Sequence, residues 1–269
     1  MEAKPIGVVV PYFRAPEQLE RCLRSLEQQE SVRTDVFVRD NSHDNILYTK
    51  AINEGLRRFC FNGSHDYVLI LTQDAWLFPD CLRTLVDVIE SDPRIGIAAP
   101  IQTTESGEAT WFGSLQAYPW GHHAGGNAKD TPDPFDTYWA NGACLLIRTA
   151  MVHEIGMLDE NMRFVCSDSD YSFTARSRGW RVVAVPRARV VHSLHTSGGK
   201  TEKPAWLSKR IWEDQLYFAR KWLSGDVYRQ LAYEGDILTH EFVQQEVARS
   251  MSAVEEWRTH ARVESAERK

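Results

Sequence analysis

Acidic, amide and aromatic side chains follow three short apolar runs near the start of the chain. They are Pro11 and Tyr12 after the first run, Asp40 and Ser42 after the second, and Gln73 and Asp74 after the third. In open α/β sheets, ligands bind outside the carboxyl ends of the strands. Magnesium in proteins is usually held by one or two carboxylates together with substrate phosphates. This pattern therefore predicts a phosphate-containing ligand, neutralised by a divalent cation, at these strand ends.

Glycine-rich phosphate loops are missing from the same positions. No G-x-G-x-x-G or G-x-x-x-x-G-K-[ST] motif follows any predicted strand. Such loops bind phosphate through their backbone N–H groups. Their absence from the sequence argues against a dehydrogenase and against a P-loop NTPase.

Short β-branched runs alternate with amphipathic segments over the first hundred residues. The predicted strands are 6–10, 35–40, 67–71 and 95–99, and the predicted helices are 16–30, 47–59 and 79–90. This alternation implies right-handed crossovers in a mainly parallel central sheet flanked by helices. The fold class is therefore predicted to be α/β.

The second half of the chain carries further elements and two irregular segments. The predicted strands are 140–148, 181–185 and 189–191, and the predicted helices are 150–155 and 167–178. Segment 121–135 is long for a structureless loop and is predicted to act as a functional loop, and 197–200 is predicted to be a flexible turn. From residue 204 the pattern is helical. We divide the chain into an α/β domain over 1–200 and a C-terminal helical extension over 201–269 packed on it.

Composition excludes several classes of function. The 269 residues are 43% hydrophobic and carry a net charge of −6, so no overall field favours nucleic acid. No run approaches the roughly 20 apolar residues of a membrane span. The cysteines are scattered, as expected of reduced thiols in a cytosolic protein: Cys22, Cys60, Cys81, Cys144 and Cys166. We expect a soluble, cytoplasmic protein, with a peripheral position at a membrane left open.

Eight short motifs, in order along the chain, resemble the family-2 glycosyltransferases with the GT-A fold. They are 8–12 (VVVPY), 38–42 (VRDNS), 69–74 (LILTQD), 140–147 (ANGACLLI), 155–159 (IGMLD), 167–171 (SDSDY), 178–183 (RGWRVV) and 190–192 (VVH). The resemblance implies inverting transfer of a hexosyl or deoxyhexosyl group to a hydroxyl acceptor in polysaccharide biosynthesis. The donor would be a UDP- or dTDP-linked sugar, and the acceptor a glycan, a lipid-linked glycan or a protein. Thr72 is similar to the neutral residue of relatives that use dTDP-rhamnose.

The resemblance also assigns the donor-binding residues. They are Pro11, Tyr12, Asp40, Ser42, Gln73, Asp74, Asn141 and Gly142. Asp40 stands where the family holds the base or ribose, and Asn141 and Gly142 stand where relatives approach the donor sugar. From the residue types alone, Asp40 is equally a turn former after a strand.

A metal site and a general base are implied in the same way. Asp74 matches the last acid of the family's Asp-x-Asp motif, and His192 matches a histidine that completes the binding of Mg²⁺ or Mn²⁺. Asp168 matches the acid that takes the proton of the acceptor hydroxyl, with Asp170 as a second candidate. Without the resemblance, Asp74 and Asp168 are also interpretable as helix caps, and His192 as structural.

Two other functions stay open. A sugar nucleotidyltransferase usually carries a glycine-rich basic loop after its first strand, and segment 11–16 (PYFRAP) is not one. A non-catalytic sugar-nucleotide or glycan-binding module stays open because Thr72 and Ser167 stand where the family often has acids. Donor hydrolysis would separate a binding module from an enzyme.

Overall fold

The computed structural model describes residues 5–113, 133–193, 204–218 and 221–222. The elements in chain order are β1 (Ile6–Tyr12), α1 (Pro16–Glu27), β2 (Thr34–Asp40), α2 (Leu47–Cys60), β3 (Tyr67–Leu71), β4 (Ala75–Leu77), α3 (Cys81–Ser91), β5 (Ile95–Thr103), β6 (Ala109–Trp111), β7 (Phe135–Asp136), β8 (Cys144–Arg148), α4 (Thr149–Ile155), α5 (Ser167–Ser177), β9 (Arg181–His192) and α6 (Ala205–Phe218).

Within these residues the strands form one nine-stranded sheet. Its order is β2-β1-β3-β8-β5-β9-β4, with β6 paired to β5 and β7 to β9. Strand β1 is parallel to β2 and β3, and β5 is parallel to β9. Strand β8 lies antiparallel between β3 and β5, so those two strands point the same way. The five strands β1, β2, β3, β5 and β9 therefore share one direction, which confirms the predicted α/β class with a mainly parallel sheet.

Each face of the sheet carries its own apolar core. Val9 of β1 packs in one cluster with Ile52 of α2, and α4 and α5 contribute to the same cluster. Val8, next to Val9 in β1, packs with Leu82 in the other cluster, to which α1 and α3 contribute. Successive side chains of a strand point to opposite faces. A strand covered on both faces therefore has to read as a continuous apolar run, which explains why 6–10 lacks alternation.

Two strands extend further than the sequence predicted. Strand β9 is continuous from Arg181 to His192, although two strands separated at 186–188 were expected. Its register with β5 shifts where Val185 pairs with Pro100 and Arg189 with Ile101, so the expected break is a bulge within one strand. Strand β5 continues to Thr103 instead of ending at residue 99. This extension carries a polar residue, Gln102, to the edge where the site lies.

Part of the C-terminal extension packs on α5. The ring of Phe173 lies 5.7 Å from that of Phe218 and 5.5 Å from that of Trp222, between centroids. Residues 121–132 of the predicted loop, the turn 197–200 and most of 201–269 lie outside the described residues, so the division at residue 200 stays a prediction. None of the helices in the described parts of the chain has the length and apolarity needed to cross a bilayer.

The contact between α2 and β1 depends on Gly55. A Cβ atom built on Gly55 would lie 2.2 Å from Cγ2 of the buried Val9. Gly55→Ala should therefore lower the free energy of unfolding by about 1–3 kcal/mol through overpacking, although alanine is the better helix former. Urea denaturation measures the loss. The control is Lys50→Ala at an exposed position of the same helix. Equal stability of the two variants would contradict the close contact.

Candidate functional site

The ends of β1 and β2 bring four of the predicted donor-binding residues onto one edge. Pro11 and Tyr12 pair in register with Arg39 and Asp40. Asp40 Oδ1 accepts a 2.7 Å hydrogen bond from the backbone N–H of Ser42. Hydrogen bonding by Ser42 holds the pKa of the exposed Asp40 carboxyl below its ordinary value. Asp40 is thus an ionised acceptor, suited to hydroxyl and amide donors of a ligand.

Two residues that the sequence analysis missed, Phe13 and Arg14, directly follow β1 and contact Gln73 and Ser42. Gln73 holds the backbone of Phe13, because its Oε1 accepts from the Phe13 N–H at 2.6 Å and its Nε2 donates to the Phe13 carbonyl at 3.2 Å. The Phe13 ring is 41% exposed. The Arg14 guanidinium lies 5.1 Å from that ring and donates to the Ser42 carbonyl. An exposed ring beside a guanidinium is suited to stacking on a planar base.

Asp74 and His192 face each other where β4 pairs with β9. Ala75 and His192 are register partners, and His192 Nε2 lies 3.6 Å from Asp74 Oδ2. Asp74 is only 5% exposed. Its burial raises its pKa, but the neighbouring His192 and a hydrogen bond from Thr72 outweigh burial and keep the pKa below its ordinary value. The Asp74 carboxyl is therefore ionised although it is almost fully buried.

This pair fits a cation that arrives together with a phosphate ligand. A carboxylate oxygen and an imidazole nitrogen both bind divalent metals. Groups of three or more His, Cys, Asp or Glu side chains placed to hold a metal do not occur in the described parts of the chain. A structural metal site needs about four protein ligands, so Asp74 and His192 do not make one. Mg²⁺ and Mn²⁺ accept fewer protein ligands and complete their shells with water and phosphate oxygens.

A partly buried chain of hydrogen bonds joins His192 to the loop before β8. His192 Nδ1 lies 3.2 Å from Gln102 Oε1, and Gln102 Nε2 donates to Asn141 Oδ1 at 3.1 Å. Asn141 Oδ1 also accepts from the backbone N–H of Ala143 at 3.0 Å. The predicted donor-binding residue Asn141 is therefore linked to the predicted metal ligand. The sequence analysis did not select Gln102, because β5 was predicted to end at residue 99.

Gly142 joins Asp168 to the same loop. Its N–H donates to Asp168 Oδ2 at 2.8 Å, and its carbonyl accepts from the Tyr48 hydroxyl at 2.7 Å. The other carboxylate oxygen of Asp168 accepts from the backbone N–H of Ser169 at 2.8 Å. A Cβ on Gly142 would lie 2.6 Å from the Tyr48 oxygen and 3.1 Å from Asp168 Oδ2. Glycine is thus required for this close approach.

The Tyr48 phenol is close to both acidic groups of the site. Burial raises its pKa well above the ordinary value, and the carboxylates of Asp168 and Asp74 raise it further. The Gly142 loop is hydrogen-bonded to Asp168 and, through Gln102, to His192, which lies 3.6 Å from Asp74. Asp74, His192, Asn141, Gly142 and Asp168 are therefore gathered in one region.

Asp170, the second candidate for a general base, is engaged elsewhere. It is 2% exposed, and its Oδ1 lies 2.6 Å from Trp222 Nε1 and 2.7 Å from Lys221 Nζ. Lys221 also lies 3.0 Å from Asp159. Asp170 therefore anchors the C-terminal segment to α5.

The family of the chain follows from a sequence comparison. The profile of the glycosyl transferase family group 2 matches residues 67–253, well over half of the chain. The chain belongs to this family. The match confirms the resemblance drawn from the short motifs and the prediction of a glycosyltransferase enzyme.

Two relatives of this glycosyltransferase come from Mycobacterium tuberculosis. The chain is 26% identical over 152 residues, 49% of each chain, to an N-acetylglucosaminyl-diphospho-decaprenol L-rhamnosyltransferase. It is 32% identical over 128 residues, 40% of each chain, to an uncharacterized protein. The matched part thus spans about half the length of these relatives or less.

Solved structures with the same fold have little sequence in common with the chain. GalNAc-T7 with UDP, GalNAc and Mn²⁺ superposes with a TM-score of 0.58 at 14% identity, covering 93% of this chain and 57% of that one. Staphylococcus aureus TarS 1–349 with UDP-GlcNAc gives 0.59 at 14% identity, covering 86% and 71%. Likeness at this level of identity establishes the fold alone, and it confirms the predicted GT-A architecture.

The anchoring of the C-terminal segment is open to a stability test. Lys221→Met leaves the buried Asp170 carboxylate without its cation and should lower the free energy of unfolding by about 1–3 kcal/mol. Adding Asp170→Asn should restore part of that loss, because an amide is less costly to bury. Urea denaturation measures both variants, with the exposed Lys209→Met as control. Equal losses in the single and double variants would exclude the ion pair as the cause.

Proposed function

We propose that this protein is an inverting glycosyltransferase that uses a UDP- or dTDP-linked sugar, Mg²⁺ or Mn²⁺, and Asp168 as general base. One observation carries the proposal. The loop 141–143 is hydrogen-bonded to Asp168 on one side and, through Gln102, to His192 on the other, and His192 Nε2 lies 3.6 Å from Asp74. The groups for activating an acceptor and for holding a diphosphate thus belong to one connected site.

The nucleoside end of the donor is assigned to the edge formed by β1 and β2. Asp40 offers an ionised carboxylate to ribose hydroxyls or a base N–H, and Ser42 fixes its orientation. Pro11 and Tyr12 form the adjoining strand end. The exposed Phe13 ring supplies a stacking surface for the base. Gln73 supports the Phe13 backbone through its side-chain amide, so it contributes to donor binding by positioning Phe13.

The diphosphate end is assigned to Asp74 and His192. These two side chains would hold Mg²⁺ or Mn²⁺, which supplies positive charge that stabilises the departing diphosphate. Asp74 is suited to this role because its low pKa keeps it ionised despite burial. Thr72, at the position of the family's first acid, hydrogen-bonds to Asp74 and helps keep it ionised. Asn141 and Gly142 border the space for the donor sugar.

Asp168 is assigned as the general base that takes the proton of the acceptor hydroxyl. Each of its oxygens accepts one backbone N–H, which fixes the carboxylate plane and leaves further acceptor capacity on each oxygen. The acceptor oxygen attacks the anomeric carbon as its proton moves to Asp168, and the bond to the diphosphate breaks on the opposite side. One in-line displacement without an enzyme nucleophile inverts the anomeric configuration.

The donor and the acceptor are proposed by class. The UDP and UDP-GlcNAc bound in two structures of the same fold support a nucleoside diphosphate donor. The name of the mycobacterial relative supports a deoxyhexose donor and a lipid-linked acceptor. A glycan or protein acceptor is the alternative. Transfer to a lipid-linked acceptor would give a cytoplasmic enzyme of polysaccharide biosynthesis that works at a membrane surface.

The assignment of the base is tested by Asp168→Asn. The amide keeps the shape of the side chain but takes no proton, so release of nucleoside diphosphate with an acceptor panel should fall about 10²–10⁴-fold. Donor affinity by calorimetry should change only a few-fold. Asp87→Asn on the exposed face of α3 is the matched control. Full turnover by the Asp168 variant would eliminate it as base, and turnover absent from the wild type would favour a binding module.

The assignment of the metal site is tested by Asp74→Asn. With Mn²⁺ present, this variant should bind UDP or dTDP about tenfold or more weakly than the wild type, a loss of about 1.4 kcal/mol or more. With EDTA, the two proteins should bind alike, because the carboxylate acts through the cation. Thermal shift across a panel of nucleoside diphosphates measures both conditions. Wild-type binding that is unchanged by EDTA would remove the metal from the proposal.

A further inference from the structure

Each hydrogen bond in the chain between Ala143 and His192 has a fixed donor and a fixed acceptor. A backbone N–H can only donate, so the Asn141 atom facing the N–H of Ala143 is its oxygen. That oxygen has a second neighbour in the Gln102 side-chain amide, 3.1 Å away. An oxygen requires a donor there, and the Gln102 atom facing Asn141 is therefore Nε2. The orientations of both amides follow from one backbone group and need no other assumption.

The orientation of the Gln102 amide also fixes the donor and acceptor roles at His192. With Nε2 of Gln102 facing Asn141, the atom facing His192 is Oε1, which only accepts hydrogen bonds. His192 Nδ1, 3.2 Å from this oxygen, has to carry a proton to make the bond. In a neutral imidazole the other nitrogen then bears a lone pair. That nitrogen, Nε2, is the one that faces Asp74 at 3.6 Å, a separation longer than a hydrogen bond.

We infer that Gln102 is a positioning residue that holds the His192 proton on Nδ1 and presents the Nε2 lone pair beside Asp74 as a metal ligand. Neutral imidazole binds metals through a lone pair, and a partner on the opposite nitrogen sets which one is available. The tautomer is argued from hydrogen bonds alone. The metal-binding consequence rests on the function proposed above.

The placement of Gln102 supports a specific role. The side chain is 1% exposed on β5, and burying an amide without partners costs free energy. Its partners are the two predicted site residues, Asn141 and His192. A purely structural role for Gln102 predicts that removing it lowers stability without changing the imidazole tautomer. The two roles therefore differ in a measurable property of His192.

The tautomer is measured on metal-free protein labelled with ¹⁵N-histidine. Long-range ¹H–¹⁵N correlation at alkaline pH distinguishes the two tautomers, and His192→Gln assigns the signal. The wild type should carry its proton on Nδ1. Gln102→Leu should shift the proton toward Nε2. Gln102→Glu should keep it on Nδ1, since a carboxylate also accepts a hydrogen bond. A wild-type proton on Nε2, or an unchanged tautomer in Gln102→Leu, overturns the inference.

The metal-binding consequence is measured separately by electron paramagnetic resonance of Mn²⁺ with UDP. Gln102→Leu should weaken Mn²⁺ binding about 10–100-fold, the usual effect of losing a partner of a ligating histidine. Unchanged Mn²⁺ affinity in that variant, with the tautomer shifted, overturns the positioning role. If the wild type shows the Nδ1 proton but binds no Mn²⁺, the metal part of the proposed function fails while the tautomer assignment stands. Gln102→Glu, which nearly conserves volume, supplies the comparison should Gln102→Leu not fold.

Discussion

The backbone of Gly142 makes the two contacts on which the candidate site depends. Its N–H orients the Asp168 carboxylate and its carbonyl binds the Tyr48 hydroxyl, so one residue fixes α5 and α2 relative to the sheet. A side chain at this position would collide with both partners. The spacing of the acidic groups is therefore set by backbone, whose position the sheet determines, and not by flexible side-chain contacts.

The reversed direction of β8 explains why Gly142 lies at the edge of the sheet that carries the candidate site. Because β8 is antiparallel to β3, the residues before β8 lie beside the residues after β3. Cys144 pairs with Leu71, and the Thr72 N–H donates to the Ala143 carbonyl. A parallel β8 would place the loop 141–143 at the opposite edge. One antiparallel strand within a mainly parallel sheet thus brings residues from both halves of the chain to the same site.

The sequence predicted most of the fold because its central strands are buried on both faces. Apolar runs such as 6–10 and 67–71 are clear signals, and parallel neighbours bring their carboxyl ends together without further information. The position of β8 between β3 and β5 was beyond sequence reasoning, because strand order depends on long-range pairing. For the same reason the partners of Gln102 were not predictable. Residue patterns report local periodicity, and these hydrogen bonds join residues about 40 and 90 positions apart.

The separation of Asp168 from Asp170 was, by contrast, within reach of sequence reasoning. Two residues along an α-helix correspond to a rotation of about 200°, so side chains at i and i+2 do not face each other. Once α5 was predicted, only one of the two acids could face the loop 141–143. The other had to face the opposite side, where Lys221 and Trp222 bind it. Helix α5 thus contacts the candidate site through one acid and the C-terminal segment through the other, so a shift of that segment would act on Asp168 through a single rigid element.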